Sequence, residues 1–178
     1  MSRLFIGVPI SNNVRERIIP LLNSLKEIDA NLNIVPPGNL HFTVKYLGET
    51  NEEKEVKKKL KTIQNKKFSI KLKSVSVFPS LDRINVIWIG AEGDFIPLMK
   101  EVNQELDHIR KNDHPEEVPH LTIARVKTGR NRELLQKWLQ ENQNNEFGEM
   151  EINKIILYKS ELTPKGLVYT VLEEFPLQ

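Results

Sequence analysis

Cysteine is missing from this 178-residue chain. Without a thiol there is no disulfide framework, no cysteine nucleophile and no cysteine-based zinc site. The absence also fits a reducing compartment. Long apolar runs are missing too, and no segment approaches the roughly 20 residues that cross a bilayer. The opening "MSRLFIGVPI" has only a short apolar stretch with no small-residue cleavage site after it, so no secretory leader is expected. Neither sign of charge dominates: 26 Lys+Arg against 24 Asp+Glu leave a net charge of +2. A uniformly basic polyanion binder is thereby excluded. Hydrophobic residues make up 39% of the chain, enough to bury a core and to exclude a disordered polyampholyte. The expectation is a soluble, cytoplasmic monomer, with no membrane association.

Charge is uneven locally. "KKKLKTIQNKKFSIKLK", from Lys57 to Lys73, is basic. It reads either as a solvated helix face followed by an exposed strand or as an attraction for a phosphate backbone.

Hydrophobic periodicity predicts an α+β chain. "LFIGVPI" reads as a buried strand, and Ser11 caps a helix running to Ile28 with Pro20 inside it. "VPPGN" is a loop and "LHFTVKYLG" a strand. A helix from about Thr50, a long alternating strand "KFSIKLKSVSVF", a turn at Pro79 and a strand "INVIWIGA" follow. A helix then starts near Asp94. "HLTIARV" is again a strand, "NRELLQKWLQEN" a helix, "EMEINKIILYKSEL" one long strand, and "LVYTVLEEF" its hairpin partner across "TPKG". Strand, helix, long strand, turn and strand thus occur twice, once from His41 and once from His120. Residues 1–178 are expected to form one domain of two pseudo-symmetric lobes. Each is an antiparallel sheet with helices on its outer face, and a cleft lies between them. One lobe is built from both termini and the other from roughly 45–118, with the Ser11–Ile28 helix supplying the helix that the second repeat lacks.

The repeats share a motif. "LHFTVKYL" spans Leu40 to Leu47 and "PHLTIARV" spans Pro119 to Val126. In a strand, residues two apart face the same way. His41 and Thr43 therefore project together, as do His120 and Thr122, with Phe42, Val44, Leu121 and Ile123 turned toward packing. Two imidazoles across a cleft suit in-line displacement at phosphorus. One ring takes a proton from the nucleophile and the other gives one to the leaving group. The threonine hydroxyls would hold non-bridging oxygens, and no metal is required. Two of the chain's four histidines sit in the repeat. The others, His108 and His114, make with His120 a spacing that fits no helical ligand pattern, so a metal site is not expected. Arg125 breaks the pattern, because ideal alternation puts it on the Leu121 face, and a bulge or twist would be needed to turn it to the cleft. Trp88, Trp138 and Phe5 read as core. Tyr46 and Tyr158 read either as core or as stacking groups at a cleft edge. Lys159 and Ser160 read either as cleft-edge residues or as a solvated hairpin end.

These motifs, together with "RLFIGVPI", "VIWIG" and "LYKSELTPKGLVYTVLEEFPL", resemble the RNA 2′,3′-cyclic phosphodiesterases, first described as 2′-5′ RNA ligases, within the two-histidine phosphoesterase superfamily. The resemblance covers nearly the whole chain. It implies opening of cyclic phosphate-terminated RNA 3′ ends, tRNA fragments among them, to 2′-phosphates, and reversible 2′-5′ joining. It implies His41 as general acid toward the 3′ oxygen, His120 as general base, and Thr43, Thr122 and Arg125 on the phosphate, with no cofactor. Symmetry alone does not say which histidine is the acid. Action on 2′-5′ oligoadenylates or small cyclic nucleotides, or binding of RNA ends without turnover, are the alternatives.

Overall fold

The alternating segments become one antiparallel sheet. A computed structural model describes residues 1–111 and 118–178. Among the described residues there are nine strands and four α-helices. The first strand, β1 (Ser2–Pro9), leads into α1 (Asn12–Lys26), whose N-cap Ser11 accepts a hydrogen bond from the Val14 amide at 3.3 Å. Pro20 lies inside α1. A short strand β2 (Leu32–Ile34) and one 3₁₀ turn (Pro37–Asn39) precede β3 (His41–Thr50). After β3 come α2 (Glu53–Leu60), the hairpin β4 (Phe68–Ser80) and β5 (Arg83–Gly93), and α3 (Phe95–Leu106). The chain ends with β6 (His120–Val126), α4 (Arg132–Asn142), β7 (Glu146–Ile152), β8 (Lys154–Thr163) and β9 (Gly166–Pro176). No described helix is long and apolar enough to cross a membrane.

The strand order is β7-β4-β5-β6-β3-β1-β8-β9, with β2 paired to β6. The two expected sheets are thus continuous, joined where β3 meets β6 at a single pair, Phe42 opposite Leu121. One half holds β1, β3, β8 and β9; the other holds β2, β4, β5, β6 and β7. Helices cover one face. Phe95 of α3 meets the Phe42 ring at 5.1 Å, and α4 packs on β4. Trp138 of α4 is buried and donates from Nε1 to Ser24 Oγ of α1 at 2.9 Å.

Three details differ from the sequence expectation. The stretch read as one long strand, 149–162, is two strands split at Asn153: β7 pairs with β4, and β8 pairs with β1 and β9. Strand β2 is an addition, because three residues are too short to show a period. The chain also interleaves the halves. Segment 45–118 gives the end of β3 to one half and β4–β5 to the other, while α1 packs on β7 rather than staying with β1. The basic run takes its solvated reading, since Lys57, Lys59, Lys61, Lys71 and Lys73 each lie within 4 Å of a carboxylate.

Gly93 ends β5 at φ +134, and a Cβ there would stand 2.5 Å from the Ser69 carbonyl oxygen. Both the backbone conformation and the contact exclude larger residues. Gly93→Ala is expected to destabilise the fold by about 2 kcal/mol. It should lower the urea midpoint with the slope unchanged; an unchanged midpoint would show that β4 and β5 tolerate separation here.

Candidate active site

Register brings the two motifs together. An antiparallel pair centred on Phe42 and Leu121 sets His41 over against Thr122 and Thr43 over against His120. Phe42 and Leu121 point into the core at 1% and 0% exposure. The histidines and threonines therefore share the face that the helices leave open. All four line one cleft of about 510 Å³, together with Arg125, Tyr46, Phe5 and Tyr169.

Each imidazole is oriented in the same way. His41 Nδ1 lies 2.7 Å from the Asn39 carbonyl oxygen, and His120 Nδ1 lies 2.7 Å from that of Val118. A carbonyl only accepts, so Nδ1 carries the proton in both rings and Nε2 is left to accept when the ring is neutral. Nε2 of His41 lies 3.1 Å from Thr43 Oγ1. Aromatic rings wall both histidines. Phe5 and Tyr169 stand 4.9 and 5.2 Å from His41, and Phe78 and Trp88 stand 5.1 and 6.0 Å from His120. Trp88 is thus half-buried beside the site rather than plain core, with its indole Nε1 buried and unpartnered. Phe5 is core and site wall at once, at 4% exposure. Tyr158 stacks on Phe5 at 5.0 Å.

Arg125 reaches the cleft through a β-bulge. Ala124 pairs with Ile87 but Thr122 pairs with Trp88, so Ile123 is an extra residue on β6. It resets the alternation: Ile123 and Ala124 are both buried, and Arg125 returns to the face of His120. That one residue is the bulge that ideal alternation required to turn Arg125 to the cleft. β3 does the same, since Lys45 pairs with Ile6 but Thr43 pairs with Gly7, making Val44 the extra residue. Tyr46 is accordingly the counterpart of Arg125. Lys45 is buried and donates to Asn103 Oδ1 at 2.9 Å. Ser160 lines the cleft, whereas Lys159 pairs with Glu161. His114 lies outside the described residues. Among those described, no three His, Asp or Glu side chains gather as metal ligands.

The LigT-like phosphoesterase family model matches residues 8–88 and 91–169, one motif in each segment. The chain belongs to the LigT-like phosphoesterase family. The RNA 2′,3′-cyclic phosphodiesterases of Methanocaldococcus jannaschii and Aquifex aeolicus are 39% and 41% identical to it, over 97% and 98% of this chain and 99% and 97% of theirs. A crystal structure from Thermus thermophilus superposes with a TM-score of 0.81 at 28% identity, covering 98% of this chain and 97% of that one.

In this phosphoesterase both histidines are held below the usual imidazole pKa. Burial is the larger cause in each. The carbonyl at Nδ1 opposes it, and a neighbouring positive charge adds to it: His120 for His41, and Arg125 for His120. Unfolded histidine titrates near 6.5. Between the lowered values and about 6.5 the unfolded chain therefore binds more protons, and these groups cost stability as pH falls through that window. Burial raises Tyr158 and Tyr169.

Imidazole NMR titration should place both rings below about 6.5. Arg125→Ala should move His120 upward and leave His41 nearly in place. An unmoved His120 would contradict the bulge that brings the guanidinium to it.

Proposed function

We propose that this phosphoesterase opens RNA 2′,3′-cyclic phosphate ends to 2′-phosphates by two-histidine general acid–base catalysis, without a metal ion. The matched Nδ1–carbonyl bonds carry the reading, because they aim two Nε2 atoms of opposite protonation need into one cleft. The relatives' names supply the substrate.

His120 Nε2 takes a proton from water as the water oxygen bonds to phosphorus. The bond from phosphorus to the 3′ oxygen breaks, and His41 Nε2–H protonates that oxygen. A 3′-hydroxyl and a 2′-phosphate result. Thr43, Thr122 and Arg125 hold the non-bridging oxygens as charge builds on them. With an RNA 5′-hydroxyl in place of water, the same transfers form a 2′-5′ bond, and their reversal cleaves it.

His41 must start protonated, although burial favours its neutral form. A bound phosphodiester anion offsets this, since an adjacent negative charge stabilises imidazolium. The pH optimum of kcat/KM, which reports the free enzyme, should lie on the acid side of that of kcat, which reports the complex. Coincident optima would remove the substrate from His41's charge balance.

The direct experiment incubates the protein with a short RNA ending in a 2′,3′-cyclic phosphate, in EDTA, and locates the phosphate by NMR. A 2′-phosphate is expected. His41→Ala and His120→Ala should each lower kcat on the order of 10²-fold or more. Near-normal turnover in either variant would end the two-histidine mechanism, and loss in EDTA with rescue by zinc would end its metal independence.

A further inference from the structure

The two sides of the cleft offer a ligand different surfaces. On the His120 side, β2 pairs with β6 and the rim holds Asn33, Ile34 and Arg125. Beside His41 the wall is the β8–β9 hairpin, whose tip sends Leu162, Lys165 and Leu167 into the lining. Cross-strand pairing explains the wall. Leu162 lies opposite Leu167, Ser160 opposite Tyr169, and Tyr158 opposite Val171. The ladder runs from the hairpin tip to the rings around His41. Its outermost rung is wet: Leu162 is 77% exposed and Leu167 42%. Apolar surface gathered on a cleft wall, rather than scattered singly, marks a place where a ligand lies.

The hairpin turn adds a positive charge to the same wall: Lys165 lines the cleft and has no carboxylate partner among the described residues. A cation kept unpaired at the mouth of a cleft is available to an anion. Asn39 ties this hairpin to the chemistry. Its side-chain amide donates to the Leu167 carbonyl at 3.1 Å, while its own carbonyl orients His41 at 2.7 Å. The wall and the imidazole are thus set by one residue.

We propose that the β8–β9 hairpin holds the last nucleoside of a single-stranded oligoribonucleotide, with Leu162 and Leu167 against its base and Lys165 on the phosphodiester 5′ to it. The inference rests on reading the cleft as a site for RNA ends. A base held by hydrocarbon is gripped with little regard to its identity, because no hydrogen-bonding edge is read. Seating the nucleoside beside His41 puts the ribose oxygens there and leaves the His120 side to water. The acid role of His41 then follows from the asymmetry of the walls.

The test is equilibrium binding by calorimetry in a His120→Ala background, so that ligand persists. Two ligands are compared: ApA ending in a 2′,3′-cyclic phosphate, and adenosine 2′,3′-cyclic phosphate without a 5′-phosphate. Lys165→Ala should weaken the dinucleotide about tenfold and the mononucleotide less than about twofold, since only the former has the internal phosphodiester. Leu162→Ala with Leu167→Ala should weaken both ligands by about tenfold; both side chains are exposed, so the core is left alone. Equal effects of Lys165→Ala on the two ligands, or none, would overturn its contact with the phosphodiester. Unchanged binding in the double variant would overturn the apolar wall. A protein with His120 intact that binds RNA in this pattern yet leaves the cyclic phosphate closed would overturn the proposed activity and keep the hairpin. Failure of the parent background to bind either ligand would overturn both.

Discussion

One backbone pairing carries the geometry of the cleft. Phe42 and Leu121 are where two half-sheets touch, and each follows a motif histidine directly. A strand alternates faces, so burying these two side chains forces their neighbours out on the other side. The hydrophobic core thus positions the polar site. Burying Phe42 contributes several kcal/mol, roughly 3–5 by comparison with Phe→Ala changes in other cores. The same burial holds His41, Thr43, His120 and Thr122 in a single cluster. A slip of one residue by either strand would send that strand's histidine and threonine into the helix face and break the cluster.

The surroundings of the histidines then set their chemistry. Rings on both sides exclude water and favour neutral imidazole. A carbonyl at each Nδ1 fixes the tautomer and makes imidazolium tolerable. The balance lets a ring change charge when an anion arrives. Bare desolvation would lock it neutral, and a carboxylate partner would lock it charged.

Much of this was legible in the chain. Alternation gave the long strands, Ser11 marked the start of α1, and the doubled motif marked both histidines. Arg125 was legible only on condition of a bulge, and its position was there to read: two adjacent apolar residues, Ile123 and Ala124, break the period. In β3 the break is hidden by Lys45, a charged residue that is buried. The split at Asn153 left no trace because β7 and β8 are both extended and only their partners differ. Asn39, Leu162 and Lys165 were missed for another reason. Their place at the cleft comes from pairings more than a hundred residues distant, which no local pattern encodes.

The crossing at Asn153 separates two ideas of a half. The repeat in the sequence is contiguous, with its divide near residue 90. The halves of the sheet are woven, each taking strands from both repeats. Neither can come loose whole, for each is stitched by chain that belongs to the other. A strain applied to one wall of the cleft is therefore carried along the backbone into the other, because the strands that build each wall are continuous with chain that builds its opposite.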